Sequence, residues 1–282
     1  MKLIAQLEDL AQRHVVASGR GEAIVWRRFG TGTPLVLLHG GHGSWLHWAR
    51  NLQALAARHT VWVPDLPGYG ESSAPVEATL PSLVIALCDT LDRLVGADTT
   101  VHVAGFSFGG LVAASVARSR SVSSLALMGP GGHGGPRRPR GELQQWRSAH
   151  AQGDQAALTA AMHHNLLMHM LHDVANVDSA ALHVHTQSCL NTRFRSKPIS
   201  RAGHLLDFLS GYLGPLLLVW GEHDVTAEPQ QASQVLAQGR TNCRTYILPG
   251  AGHWVQYEVA DTVNALLLER LREVEKPLDE ES

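Results

Sequence analysis

The stretch Val-His-Val-Ala-Gly-Phe-Ser-Phe-Gly-Gly at residues 101–110 decides the fold. A β-branched run ends in Gly105, Ser107 follows two positions on, and Gly109 two positions after that. Residues 111–117, Leu-Val-Ala-Ala-Ser-Val-Ala, read as a helix. A strand that turns sharply through a serine into a helix is the context that gives a Gly-x-Ser-x-Gly match its meaning. Such a turn holds the serine in a strained backbone conformation and lifts its hydroxyl clear of the sheet. Gly105 and Gly109 let strand and helix cross closely. The N–H of Phe108 then points where an oxyanion would form. Read blandly, the pattern is a glycine-rich turn with an incidental serine. The rest of the chain must therefore supply a base, an acid and a second oxyanion donor.

Towards the N-terminus, residues 14–17 and 23–26 flank a Ser-Gly-Arg-Gly turn and predict a β-hairpin. Residues 34–38 are continuously apolar and end in His39-Gly40-Gly41, as a strand buried on both faces would. A helix is expected at 45–58, a strand at 60–64, a turn-rich loop at 65–72 and a helix at 81–94. Towards the C-terminus, 122–128 reads as another strand, and then the alternation stops. Residues 129–136, Gly-Pro-Gly-Gly-His-Gly-Gly-Pro, are the strongest breaker in the chain, followed by Arg137, Arg138 and Arg140. Roughly 70 residues of helical patterning follow, with helices expected at 144–151, 156–171, 180–193 and 200–209. Strands return at 215–220 and 245–248, a last helix covers 261–273, and a charged tail at 276–282 is expected to fray. The reading is an α/β fold with a mostly parallel, doubly wound sheet and an inserted helical cap. The core takes 1–130 and 213–282, the cap 131–212, and the hinge 129–140.

Composition narrows the partners. The 282 residues are 44% apolar and 17% charged, enough to bury a large core. A net charge of −2 excludes a nucleic acid or an anionic membrane surface as the expected partner. Cys88, Cys189 and Cys243 are odd in number and far apart, which suits a reducing, cytoplasmic compartment. The first 13 residues read as a short amphipathic helix and not as a signal peptide, and no apolar run reaches the length of a membrane span. The expected partner is a small-molecule substrate, and a homodimer is left open.

Two further turns reach the sheet edge that carries Ser107. His253 lies in Pro249-Gly250-Ala251-Gly252-His253-Trp254 after the last strand, and Asp224 in Gly221-Glu222-His223-Asp224 after the 215–220 strand. Ligand sites in open parallel sheets collect at that edge. In such a set the serine attacks, the histidine accepts its proton, and the aspartate fixes the imidazole tautomer. Gly41, after the 34–38 strand, offers a second N–H beside that of Phe108, each such donor being worth ~3 kcal/mol of barrier. Other residues take quieter readings. Asp65 braces its own loop, His39 supports the oxyanion loop, and Glu222 points elsewhere along its turn. Arg137, Arg138 and Arg140 form a solvated hinge. His169 and His172 share a helix face, but no carboxylate or cysteine set accompanies them, so neither a metal nor another cofactor is expected.

The order Ser107, Asp224, His253 and the motifs His39-Gly40-Gly41, Asp65-x-x-Gly-x-Gly-x-Ser72 and Gly250-x-Gly-His253 resemble the α/β-hydrolases over nearly the whole chain. The resemblance implies a serine hydrolase that works without a cofactor. Its default is carboxylic ester hydrolysis through an acyl-enzyme. Trp254 after the histidine, the cap, and Arg193 and Arg195 late in it also resemble the meta-cleavage-product hydrolases, which split carbon–carbon bonds in ring-opened dienoates. There a cap arginine holds the substrate carboxylate, a role the resemblance offers to Arg193 or Arg195. Phe106 and His42 depart from that branch, which has asparagine before the nucleophile and proline in the oxyanion loop. Phenylalanines on both sides of Ser107 suggest a more apolar pocket. The expectation is therefore an esterase for small to medium apolar or aromatic esters, with the dienoate hydrolase as the alternative and a non-catalytic receptor as a distant third.

Overall fold

The structure is a computed structural model that describes residues 1–275; the tail expected to fray, 276–282, lies outside the described residues. The strands are β1 Gln12–Ala17, β2 Ala23–Phe29, β3 Thr33–Leu38, β4 His59–Pro64, β5 Val101–Phe106, β6 Val122–Met128, β7 Leu216–Gly221 and β8 Cys243–Leu248. They form one sheet in the order β1-β2-β4-β3-β5-β6-β7-β8. The β1–β2 hairpin and the β2–β4 pair are antiparallel, and every pairing from β4 through β8 is parallel.

Strand alternation sets the layers. Leu35, Leu37, Val61, Val63, Ala104, Phe106, Leu217 and Val219 face one apolar cluster, while Val36, Leu38, Trp62, Val103, Leu216, Leu218 and Trp220 face the other. Helix Ala260–Glu275 packs on the first face; Leu80–Val95 and Phe108–Ser119 cover the second. At about 25 cal/mol per Å² of buried apolar surface, two covered faces supply the main drive for this architecture.

Between β6 and β7 the chain forms helices only: Arg147–Ala151, a long Gln155–His169, Ser179–Leu190, Ser196–Ser200 and Leu205–Ser210, with one 3-10 turn. This segment packs on the carboxyl end of the sheet. The Met170 carbonyl accepts the Trp254 N–H at 2.7 Å. The Glu258 carboxylate accepts from the backbone N–H groups of His172, Asp173 and Gly252 at 2.8, 2.9 and 2.6 Å.

Several expected elements differ, each for a tertiary reason. The helix expected at 45–58 is a 3-10 turn, Trp45–Trp48, and a short helix, Leu52–Ala56. At their joint Asn51 is fully buried and donates to the Gln256 carbonyl and Asn264 Oδ1, so distant partners outbid the continuous ladder. Only Arg147–Ala151 is helical within 144–151, because Asn165 clamps both the N–H and the C=O of Gln144. The helix expected at 200–209 is divided at Gly203, whose φ of +78° ends one turn before the next begins. Helix Pro229–Ala237, between β7 and β8, has no counterpart in the sequence reading, although its proline at N1 is a start signal. No helix of the described residues is long and apolar enough to cross a membrane.

Candidate active site

Ser107 sits between β5 and helix Phe108–Ser119 with φ +54°, in the left-handed region that a β-carbon disfavours. Three hydrogen bonds hold it there. Its N–H donates to the Met128 carbonyl at 2.9 Å, and its C=O accepts from Gly110 and Gly131 at 3.0 and 2.8 Å. A β-carbon on Gly105 would strike the Gly109 carbonyl, and one on Gly109 would strike the carbonyls of Leu38 and His39. Strand and helix therefore cross at a distance only glycine allows.

The turns after β7 and β8 bring their side chains to this point. Ser107 Oγ lies 2.9 Å from His253 Nε2, and His253 Nδ1 lies 2.8 Å from Asp224 Oδ2. His253 and Asp224 are buried, Ser107 is half-buried, and of the three only Ser107 and His253 line the cavity. Burial by itself would raise the Asp224 pKa, but the His253 charge and the hydrogen bonds from His253 and Thr226 outweigh it and hold the carboxyl below its usual range. Thr226 donates to Asp224 Oδ1 through its N–H at 2.7 Å and its hydroxyl at 2.8 Å. Gly129, at φ +46°, lies beneath the Asp–His bond: a β-carbon there would stand 2.8 Å from Asp224 Oδ2 and 3.0 Å from His253 Nδ1. Sequence reasoning assigned Gly129 to the hinge and missed Thr226; the second had a faint signal, standing two residues after Asp224.

Gly41 and Phe108 meet across the elbow. A β-carbon on Gly41 would lie 3.8 Å from that of Phe108, and one on Gly40 would lie 3.1 Å from that of Ser107. Neither the Gly41 nor the Phe108 N–H has an acceptor among the described residues, and both residues line the cavity with Ser107. His39 braces this loop: its Nε2 accepts the Leu66 N–H at 2.9 Å, and burial pushes its pKa down to about 4. Asp65 braces the neighbouring loop, accepting from Trp45, Glu71 and Arg27.

The cavity above Ser107 holds about 370 Å³. His42, at φ +51°, and Phe106 line it as expected. Trp254 does not: it is fully buried, donates to the His47 carbonyl at 2.9 Å and stacks on Tyr257 at 4.2 Å. Arg193 and Arg195 are also absent from the wall. Exposure alternates along this stretch: Phe194 is buried and stacks on Phe108 at 5.8 Å, and the arginines on either side of it are exposed. Arg193 instead donates to the carbonyls of Gly70 and Ser72. Arg137 and Arg140 are solvent-exposed as expected, but the reading missed that Arg137, Arg138 and Arg140 also line the cavity, together with Lys197 and Arg201. His169 and His185 line it from the helices between β6 and β7, held neutral by burial with pKa values pushed down to about 3 and about 4. His172 turns away and stacks on His223 at 3.6 Å. Among the described residues no group of three His, Cys, Asp or Glu is placed to hold a metal ion.

Comparison with known proteins places this architecture. A family model described as the alpha/beta hydrolase fold matches residues 33–260. The chain is 31% identical over 276 residues to the dihydrolipoyllysine-residue acetyltransferase component of an acetoin cleaving system from Pseudomonas putida, covering 89% of this chain and 67% of that protein. It is 30% identical over 288 residues to a 2-hydroxy-6-oxononadienedioate/2-hydroxy-6-oxononatrienedioate hydrolase from Burkholderia vietnamiensis, covering 92% and 94%. Among solved structures, naproxen esterase (carboxylesterase NP) from Bacillus subtilis superposes with a TM-score of 0.74 at 19% identity, covering 96% of each chain. The matched stretch runs from β3 past His253, and so encloses the elbow, the acid turn and the histidine turn. The chain belongs to the α/β-hydrolase family.

Proposed function

We propose that this protein is a serine hydrolase that cleaves carboxylic esters of small to medium size through an acyl-enzyme, with residues 131–212 serving as its lid. The observation that carries the reading is the continuous hydrogen-bonded line from Ser107 Oγ through His253 to Asp224, at 2.9 and 2.8 Å. His253 Nε2 accepts the Ser107 proton as the hydroxyl oxygen attacks the ester carbonyl. Asp224 holds Nδ1–H towards itself, which leaves Nε2 free as the acceptor and stabilises the imidazolium that forms. The Gly41 and Phe108 N–H groups face the oxyanion of the tetrahedral intermediate. Its collapse expels the alcohol, which takes the proton back from His253 Nε2. Water then repeats the sequence on the acyl-enzyme and releases the acid.

A fluorophosphonate probe tests this directly. It should label the wild type at Ser107 and leave Ser107→Ala untouched, and the same variant should lose p-nitrophenyl ester turnover by about 10⁴-fold or more. An unlabelled wild type would favour the non-catalytic receptor and end the hydrolase reading. Carbon–carbon hydrolysis of a ring-opened dienoate is the second reading, favoured by the 30% identity to a hydrolase named for such substrates. Turnover of a dienoate with no turnover of p-nitrophenyl esters would replace the ester reading with that one.

A further inference from the structure

The cavity is lined by five cationic side chains, Arg137, Arg138, Arg140, Lys197 and Arg201, and by no aspartate or glutamate among the described residues. The whole chain carries a net charge of −2, so this local excess does not follow from bulk composition. Arg138 has a partner: it pairs with Glu228 at 3.0 Å and donates to the Glu222 carbonyl. The other four make no ion pair among the described residues. Arg137 reaches only the Ser200 carbonyl, at 3.5 Å, and Arg140 the Gly141 carbonyl, at 3.1 Å.

Backbone contacts tie these cations to the nucleophile. The Gly131 N–H donates to the Ser107 carbonyl, and the Gly132 N–H to the Ser200 carbonyl, both at 2.8 Å. Ser200, against which Arg137 lies and which Arg201 follows, thus stands one short loop from Ser107. Exposure orders the wall. Phe106, Phe108 and Met170 are buried at its base, whereas Arg137, Arg140, Lys197 and Arg201 are exposed at its mouth.

We infer that the substrate is an ester whose acyl or alcohol part ends in a carboxylate, seated at the mouth by Arg137, Arg140, Lys197 and Arg201 while the apolar link lies over Phe106 and Phe108. This rests on the hydrolase reading and names the substrate class of the same site. Guanidinium forks match a carboxylate in two parallel hydrogen bonds. Four unmatched cations at one mouth also raise the local concentration of an anionic substrate and speed its encounter.

The test compares mono-p-nitrophenyl glutarate with p-nitrophenyl pentanoate, matched in length and differing in the terminal charge. At low ionic strength kcat/KM should favour the glutarate ester by about tenfold or more, and the preference should shrink in about 1 M NaCl, where the screening length is about 3 Å. In the Arg137→Ala/Arg201→Ala double variant the ratio of the two values should fall by about fivefold or more, with fluorophosphonate labelling of Ser107 reporting that the fold is kept. Free glutarate should also slow that labelling in the wild type, whereas butyramide should not. A labelled enzyme that prefers the pentanoate ester overturns the inference and leaves the hydrolase reading standing. Protection by inorganic phosphate but not by glutarate overturns the carboxylate. A wild type that takes no label removes the hydrolase reading itself.

Discussion

At the scale of the residue, the site depends on backbone conformations that few side chains tolerate. Ser107 at φ +54° costs on the order of 1–3 kcal/mol, offset by the three hydrogen bonds to Met128, Gly110 and Gly131. Gly129 is the sharper case, because its missing side chain is the space the Asp224–His253 bond occupies. Gly129→Ala is expected to push that pair apart and lower kcat by about 10²-fold, with a smaller change in KM. Stopped-flow ester hydrolysis would read the split, and a wild-type kcat would show the pair has room to spare. Thr226→Val removes the hydroxyl on Asp224 Oδ1 but keeps the N–H donor, so a milder loss, about tenfold in kcat, is expected.

At the scale of the element, Glu258 joins what the sequence separates. Its two oxygens accept from His172 and Asp173, just after helix Gln155–His169, and from Gly252, next to His253. Burial raises its pKa despite those three donors. Glu258→Ala would strand the buried Gly252 N–H at a cost of about 1–3 kcal/mol, while the more exposed His172 and Asp173 N–H groups turn to water, lowering Tm by at least about 2 °C in a chain of this length. Glu258→Gln keeps one accepting oxygen and should fall between that variant and the wild type by thermal melting. Equal melting temperatures for all three would mean that packing alone holds residues 170–173 to the Gly252 turn.

At the scale of the whole molecule, buried histidines couple the fold to pH. His39, His169 and His185 have pKa values pushed from 6.5 to about 4, about 3 and about 4, with burial as the first cause in each. The unfolded chain takes up their protons near pH 6.5 and the native chain refuses them until about pH 4. Stability is therefore full above that range and falls on acidification, by about 1.4 kcal/mol per pH unit for each histidine. Asp224 acts in the same direction lower down: its folded pKa lies below 3.8, so its contribution is lost as pH drops through that depressed value. Tm should be nearly flat above about pH 7 and fall steeply towards about pH 4.5. The His169→Gln/His185→Gln double variant should flatten the slope, and an unaltered slope would show that other groups carry it.

The sequence by itself determined the sheet, the Ser107 turn and the placing of Asp224 and His253 at the same sheet edge, because these rest on local signals. Apolar runs make buried strands, glycine permits the elbow crossing, and parallel strands deliver their following turns to one edge. It also placed Gly41, His42, Phe106 and Phe108 around that edge through their nearness to the elbow or to β3. The tertiary structure decided what depends on which way a side chain faces after distant segments meet. Phe194 turned inward while Arg193 and Arg195 stayed outside; Trp254 was drawn into the core; and Arg137 and Arg140 came to line one cavity with Lys197 and Arg201. Helical periodicity fixes a face but not the partner it meets, and the charge lining this cavity is set by that meeting.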